Sequence, residues 1–123
     1  MKDYEEIGRF DGEMLIADSK FPTDVVLVKI AKAAAEETLK RGTVLEVSDT
    51  GECSILAGTA GSTAAYILAD DVELSTTEAV SAEAYQTGKF VRNSLIVKDG
   101  YTMTVSDEKA LRDAGIYLES AMM

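Results

Sequence analysis

The segment GTAGST, residues 58–63, is a small, glycine-bearing turn, and the apolar run AAYILADDVEL, residues 64–74, follows it. A turn of this kind leads into a helix where a chain cradles phosphate, and into a buried strand where it serves architecture alone. A Walker-type loop needs a lysine after its last glycine to reach the phosphates, and a hydroxyl residue next to it to hold magnesium. Here the hydroxyls are present and the lysine is not. The spacing of Gly58 and Gly61 also fails GxGxxG. No nucleotide site is expected.

The other reactive side chains are few. The chain has no histidine and one cysteine, which excludes the usual zinc sets and both Ser-His-Asp and Cys-His arrangements. Cys53, within GECSILAG, reads as a small hydrophobe in a strand, since nothing is there to activate its thiol. Asp70 and Asp71 form the most visible acidic pair. On a strand, adjacent side chains point to opposite faces, so the pair is poorly placed to share a proton or a metal and reads as a strand end meeting solvent. Asp49, Glu52 and Asp99 sit beside turn glycines, where Asp bonds the local backbone and charge keeps a turn wet. The expectation is a chain with no catalytic residues, no cofactor and no metal.

Composition narrows the classes further. A chain of 123 residues, 46% hydrophobic and 28% charged, is large enough for one domain with its own core. Its 22 acidic against 12 basic residues give a formal net charge of −10, which repels a phosphate backbone and argues against direct nucleic-acid binding. No apolar run approaches the roughly 18 residues that span a bilayer, and MKDYEEIGRF lacks the parts of a signal peptide. Synthesis in the cytoplasm and no membrane contact are expected.

Residues 1–24 show little periodicity and read as an arm, with Phe10, Met14, Leu15, Ile16 and Phe21 as isolated apolar positions. Residues 25–123 read as a single β-rich domain. Its first strand spans about 25–31, where Val26, Val28 and Ile30 alternate with Leu27, Lys29 and Ala31. Helix propensity alone predicts a short helix over 33–41, closed by Gly42. TVLEV and ECSIL flank SDTG and predict a hairpin; EAYQTGKFVRNSLIV predicts a second, turning at Thr87-Gly88. A helix over 106–114 is predicted from Ser106 as cap, Asp107 and Glu108 in the first turn, Arg112 in the last and Gly115 as stop, with a short strand in GIYLES after it. In AAYILADDVEL, helical and strand periods fit about equally.

The order of these pieces resembles the head decoration protein family of tailed phages. The resemblance rests on Arg41 to Leu45 as "RGT-V-L", Ala64 to Val72 as "A-x-x-IL-A-x-D-V", and Tyr85 to Phe90 as "Y-x-x-G-x-F", and it covers residues 39–97 best. It implies that AAYILADDVEL is a strand preceded by the GTAGST loop, and that residues 33–41 hold a shorter polar turn rather than a helix. The expected fold is mainly β, a small β-barrel-like, tadpole-shaped domain with hairpins, one short C-terminal helix and an extended N-terminal arm. The longer acidic arm and the helix at 106–114 depart from the family's type member.

By that resemblance the chain is a structural protein. It would bind as a homotrimer to the major capsid protein on the outside of an expanded head, at threefold positions of the virion, and clamp the shell against the pressure of packaged DNA. The arm, with Phe10, Met14, Leu15 and Ile16 as candidate capsid-binding residues, would add an extended segment to a capsid β edge. A carbohydrate- or peptide-binding β module is the alternative, though such a module would be expected to carry exposed aromatics for stacking and this chain has no tryptophan. An enzyme built on carboxylates alone would need two acids at a set separation around a pocket.

Overall fold

A computed structural model describes residues 15–17 and 22–119. Among these residues eight strands and one α-helix occur in the order β1 (Asp24–Ile30), β2 (Thr38–Leu39), β3 (Val44–Val47), β4 (Cys53–Ile55), β5 (Thr63–Leu68), β6 (Val72–Glu73), β7 (Val80–Val91), α1 (Val105–Ala114) and β8 (Ile116–Glu119). The main sheet runs β1-β4-β3-β5-β7-β8, and β1 also pairs with β7. That extra pairing closes five strands into a barrel and leaves β8 as an added strand, so the mainly β expectation holds. Closure removes the open edges a sheet would otherwise offer.

Two apolar clusters lie on the two sides of the barrel wall. Ile30, Leu45, Cys53, Leu68, Ala82 and Ala84 come from five different strands and fill the barrel interior, with Leu39 beside them. Val44, Ile67, Tyr85, Phe90, Leu111 and Ile116 form the second cluster, outside the wall and under α1. Neighbouring residues therefore divide between the clusters, Val44 from Leu45 and Ile67 from Leu68, as period-two side chains must. This is why β5 also carried a helical pattern: it is apolar on both faces, and alternation is erased when both faces are buried. The strand implied for 64–74 by the family resemblance is observed as β5 up to Leu68, and after a turn at 69–71 the chain continues as β6 in the separate two-stranded sheet.

Three local expectations are corrected. Residues 33–41 hold no helix. Glu36, Glu37 and Thr38 are exposed, and the backbone there pairs instead with 74–75, through Ala33 N–H to the Ser75 carbonyl at 2.9 Å and Leu74 N–H to the Glu37 carbonyl at 2.8 Å. A short helix without an apolar face to bury is marginal, and propensity yields to these pairings and to the burial of Leu39.

The turn at Thr87-Gly88 is also absent, since β7 continues for 12 residues to Val91 and the 3-10 turn Arg92–Ser94 follows it. Gly88 has φ +148, and a Cβ there would lie 2.9 Å from two ring atoms of Phe90; the glycine makes room for that buried ring rather than for a turn. A register shift beside it, with Asp24 opposite Thr87 and Val25 opposite Tyr85, bends the long strand. Finally, α1 is capped by Thr104, not Ser106. Thr104 accepts from the Asp107 amide at 3.1 Å while the Asp107 carboxylate accepts from the Thr104 amide at 2.9 Å, a reciprocal box that Ser106 is too late in the chain to form. The stop at Gly115, with φ +107, and Arg112 in the last turn are as expected.

The first hairpin is as expected, with Leu45 opposite Ile55 and Val47 opposite Cys53. The Ser48 amide closes its turn on the Glu52 carbonyl at 3.0 Å, and Gly51 takes φ +88.

Candidate functional site

The GTAGST loop does bind an anion, and the anion belongs to the chain itself. Glu46 shares the parity of Val44 on β3 and points to the same side of the wall, where it is 2% exposed. Its Oε1 accepts from the amides of Ala57 and Gly58 at 3.1 Å and Thr59 at 3.3 Å. Successive amides turned toward one point make a concavity that suits negative charge. An internal carboxylate fills it, so no room is left for a phosphate. Glu46 was missed by sequence reading; its signal was a Glu at the buried phase of an alternating strand.

Tyr101 extends this arrangement to the helix. Its ring packs on Gly58, where an added Cβ would approach Cε1 to 2.6 Å. Its hydroxyl donates to the Asp107 carboxylate, the group that completes the α1 cap, and that bond raises the phenol above its ordinary value. Arg92 ties the same helix to the end of β7 through two bonds to Glu108, at 3.1 and 2.9 Å. Loop, barrel wall and helix are thereby one unit.

Asp70 and Asp71 are exposed and serve the turn between β5 and β6. Asp70 accepts from the Asp71 amide at 2.9 Å; Asp71 accepts from the Arg41 amide at 2.8 Å and lies 3.6 Å from Lys40. The Arg41 amide, followed by Lys40, holds the Asp71 carboxyl below its ordinary range. Neither residue lies on a strand, so the alternation expected of a strand does not apply to this pair; both belong to the turn. Asp49, Glu52 and Asp99 are exposed beside turns. Cys53 is buried in β4, and burial pushes its thiol up to about 11, the opposite of an activated nucleophile. Among the described residues no three His, Cys, Asp or Glu side chains group to hold a metal, and no helix is long and apolar enough to cross a membrane.

Of the four candidate capsid-binding residues, Phe10 and Met14 lie outside the described residues. Leu15 is 2% exposed within the outer cluster, and Ile16 packs against that cluster while pairing antiparallel with Phe90. Two backbone bonds fix the segment to β7: Val91 N–H to the Leu15 carbonyl at 2.7 Å, and Ala17 N–H to the Lys89 carbonyl at 2.9 Å. Phe90 pairs with Leu118 of β8 as well. A strand residue has one partner per edge, so Leu15–Ala17 and β8 flank β7 on opposite edges.

A closed barrel, an internally filled anion nest and an anchored N-terminal segment are thus held together by the same few side chains and backbone bonds. No curated protein matches the chain. A family model described as Bacteriophage lambda head decoration protein D matches residues 5–116, which spans the strands β1 to β7, the helix and the anchored segment. The chain belongs to the bacteriophage lambda head decoration protein D family, whose members are structural proteins of the capsid.

Proposed function

We propose that this chain decorates the outer surface of an expanded phage head as trimers, seated at threefold positions on the major capsid protein, and that it stabilises the shell against the pressure of packaged DNA. The reading rests on the family match across residues 5–116. A net charge of −10 supports it, because it suits a position outside the shell, away from DNA.

Attachment falls to the residues that precede the anchored segment, with Phe10 and Met14 as apolar contacts, while Leu15 and Ile16 hold the root of the arm on β7. Truncation must respect that division. Removing residues 1–20 would also remove Leu15 from the outer cluster, whereas removing residues 1–14 spares it. The experiment measures occupancy of the full-length and 15–123 chains on expanded and unexpanded heads, with a melting curve for each. Full occupancy on expanded heads alone, lost on truncation without a change in melting temperature, is the expected result. Occupancy unaffected by truncation would overturn the role of the arm, and no binding by the full chain would overturn the decoration reading.

A further inference from the structure

Strand β8 is the strand of the main sheet that stands outside the closed barrel. It pairs with β7 from Gly88–Ile116 to Val91–Glu119. Ile116 and Leu118 turn into the outer cluster, while Tyr117 and Glu119 face away from it, as period two requires. The residue after Val91 is Arg92, whose guanidinium reaches Glu108 of α1 at 3.1 and 2.9 Å. Beside that pair a groove of about 300 Å³ opens between the 92–94 turn and the start of α1, lined by Leu95, Val97, Tyr101 and Met103. All four pack on the outer cluster that also receives Leu118. The groove is therefore an open end of that cluster.

The residues after Glu119 are Ser120, Ala121, Met122 and Met123, which lie outside the described residues. Carried one step further, the β8 register sets position 120 level with Arg92, and period two gives positions 120 and 122 the face of Ile116 and Leu118. An extended chain rises about 3.3 Å per residue, so position 122 falls roughly 10 Å beyond Glu119, past Arg92 and on the side where the groove opens. From this placement we infer that the side chain of Met122 seats among Leu95, Val97, Tyr101 and Met103, and so straps the end of β8 to the start of α1. The occupant suits the groove chemically. Residues 120–123 carry no charge on a chain that is 28% charged, so no side-chain charge has to be desolvated. A methionine is flexible enough to fill an irregular apolar gap, and its sulfur gains from contact with an aromatic ring, which Tyr101 offers. The arm is the other segment near this end of β7, but it leaves from the opposite edge, whereas α1 packs against β8. Seating of Met122 holds whether or not the chain decorates a phage head.

The test uses the full chain in solution, with the methyl groups of its five methionines carrying carbon-13 and assigned by single substitutions to leucine. Nuclear Overhauser contacts from the Met122 methyl to the Leu95 and Val97 methyls and to the Tyr101 ring are expected, and none from Met123. Met122→Asp should lower the melting temperature by a few degrees, whereas Met123→Asp, on the other face, and Met122→Leu, which keeps the apolar fill, should leave it in place. A Met122 methyl that contacts none of the groove would overturn the seating, and so would equal losses from the two aspartate variants. Contacts from the Met14 methyl in its place would make the arm the occupant, and contacts found only between differently labelled chains would make it a second copy. Either result overturns the strap as well.

Discussion

Strands β5 and β1 belong to one barrel and both direct apolar side chains outward, but they meet different fates. Outward-facing Ile67 on β5 is fully buried, because α1 lies across it and brings Leu111 and, through Gly115, Ile116 of β8. Outward-facing Leu27 on β1 has no such cover among the described residues. The difference lies in what the chain supplies to each side. A capping box, a glycine stop and the Arg92–Glu108 pair fix a short helix against β5, and among the described residues no element packs in this way on the outer face of β1 at Leu27. Burial inside the protomer serves folding, and the outward apolar side chains of β1 add little to it.

Mutations on the two faces should therefore differ in their cost to stability. The largest loss is expected from Leu111→Ala, which opens a cavity between helix and wall and should cost about 2–5 kcal/mol of unfolding free energy in denaturant titration. Glu46→Ala comes next. It strands the amides of Ala57, Gly58 and Thr59 away from their acceptor, for an expected loss of about 1–3 kcal/mol. Glu46→Gln keeps an acceptor oxygen and should lose less, and the two variants compared by melting temperature check this. Thr104→Ala removes the helix cap and should cost about 1 kcal/mol by the same measurement. Smallest is Leu27→Ser on the uncovered face, within about 0.5 kcal/mol of wild type for the protomer. A large destabilisation by Leu27→Ser would erase the contrast, for it would mean that β1 has a hidden partner within its own chain.

The sequence was most readable where one face of an element is wet. The Val44–Ile55 hairpin and the alternation of β1 follow from period two and turn chemistry, and the stop of α1 follows from Gly115. It was least readable where tertiary contacts override local preference. The alanine- and glutamate-rich residues 33–37 favour a helix in isolation, yet their backbone finds partners at Leu74 and Ser75. Gly88 carries a turn residue's signature, and its actual reason, the ring of Phe90, is two residues away and visible only in space. Thr104 was legible in principle, as the first residue of a box closed by Asp107, but Ser106 beside two acids imitated a cap. Of the candidate site, the absence of a phosphate-loop lysine could be read directly, whereas the Glu46 nest needed the fold of the wall.

The double pairing of Phe90 has a mechanical side. The Leu15–Ala17 segment runs antiparallel to β7 and β8 runs parallel to it, so the chain leaves Leu15 toward the N-terminus, and Glu119 toward the C-terminus, at the same end of β7, beside Val91. A pull applied there along the strand axis acts across the interstrand bonds rather than along them. The Leu15 and Ala17 bonds would then be sheared together, with the buried Leu15 side chain dragged from its cluster at the same moment, instead of being peeled apart in succession. A segment rooted this way resists tension best along the axis of β7.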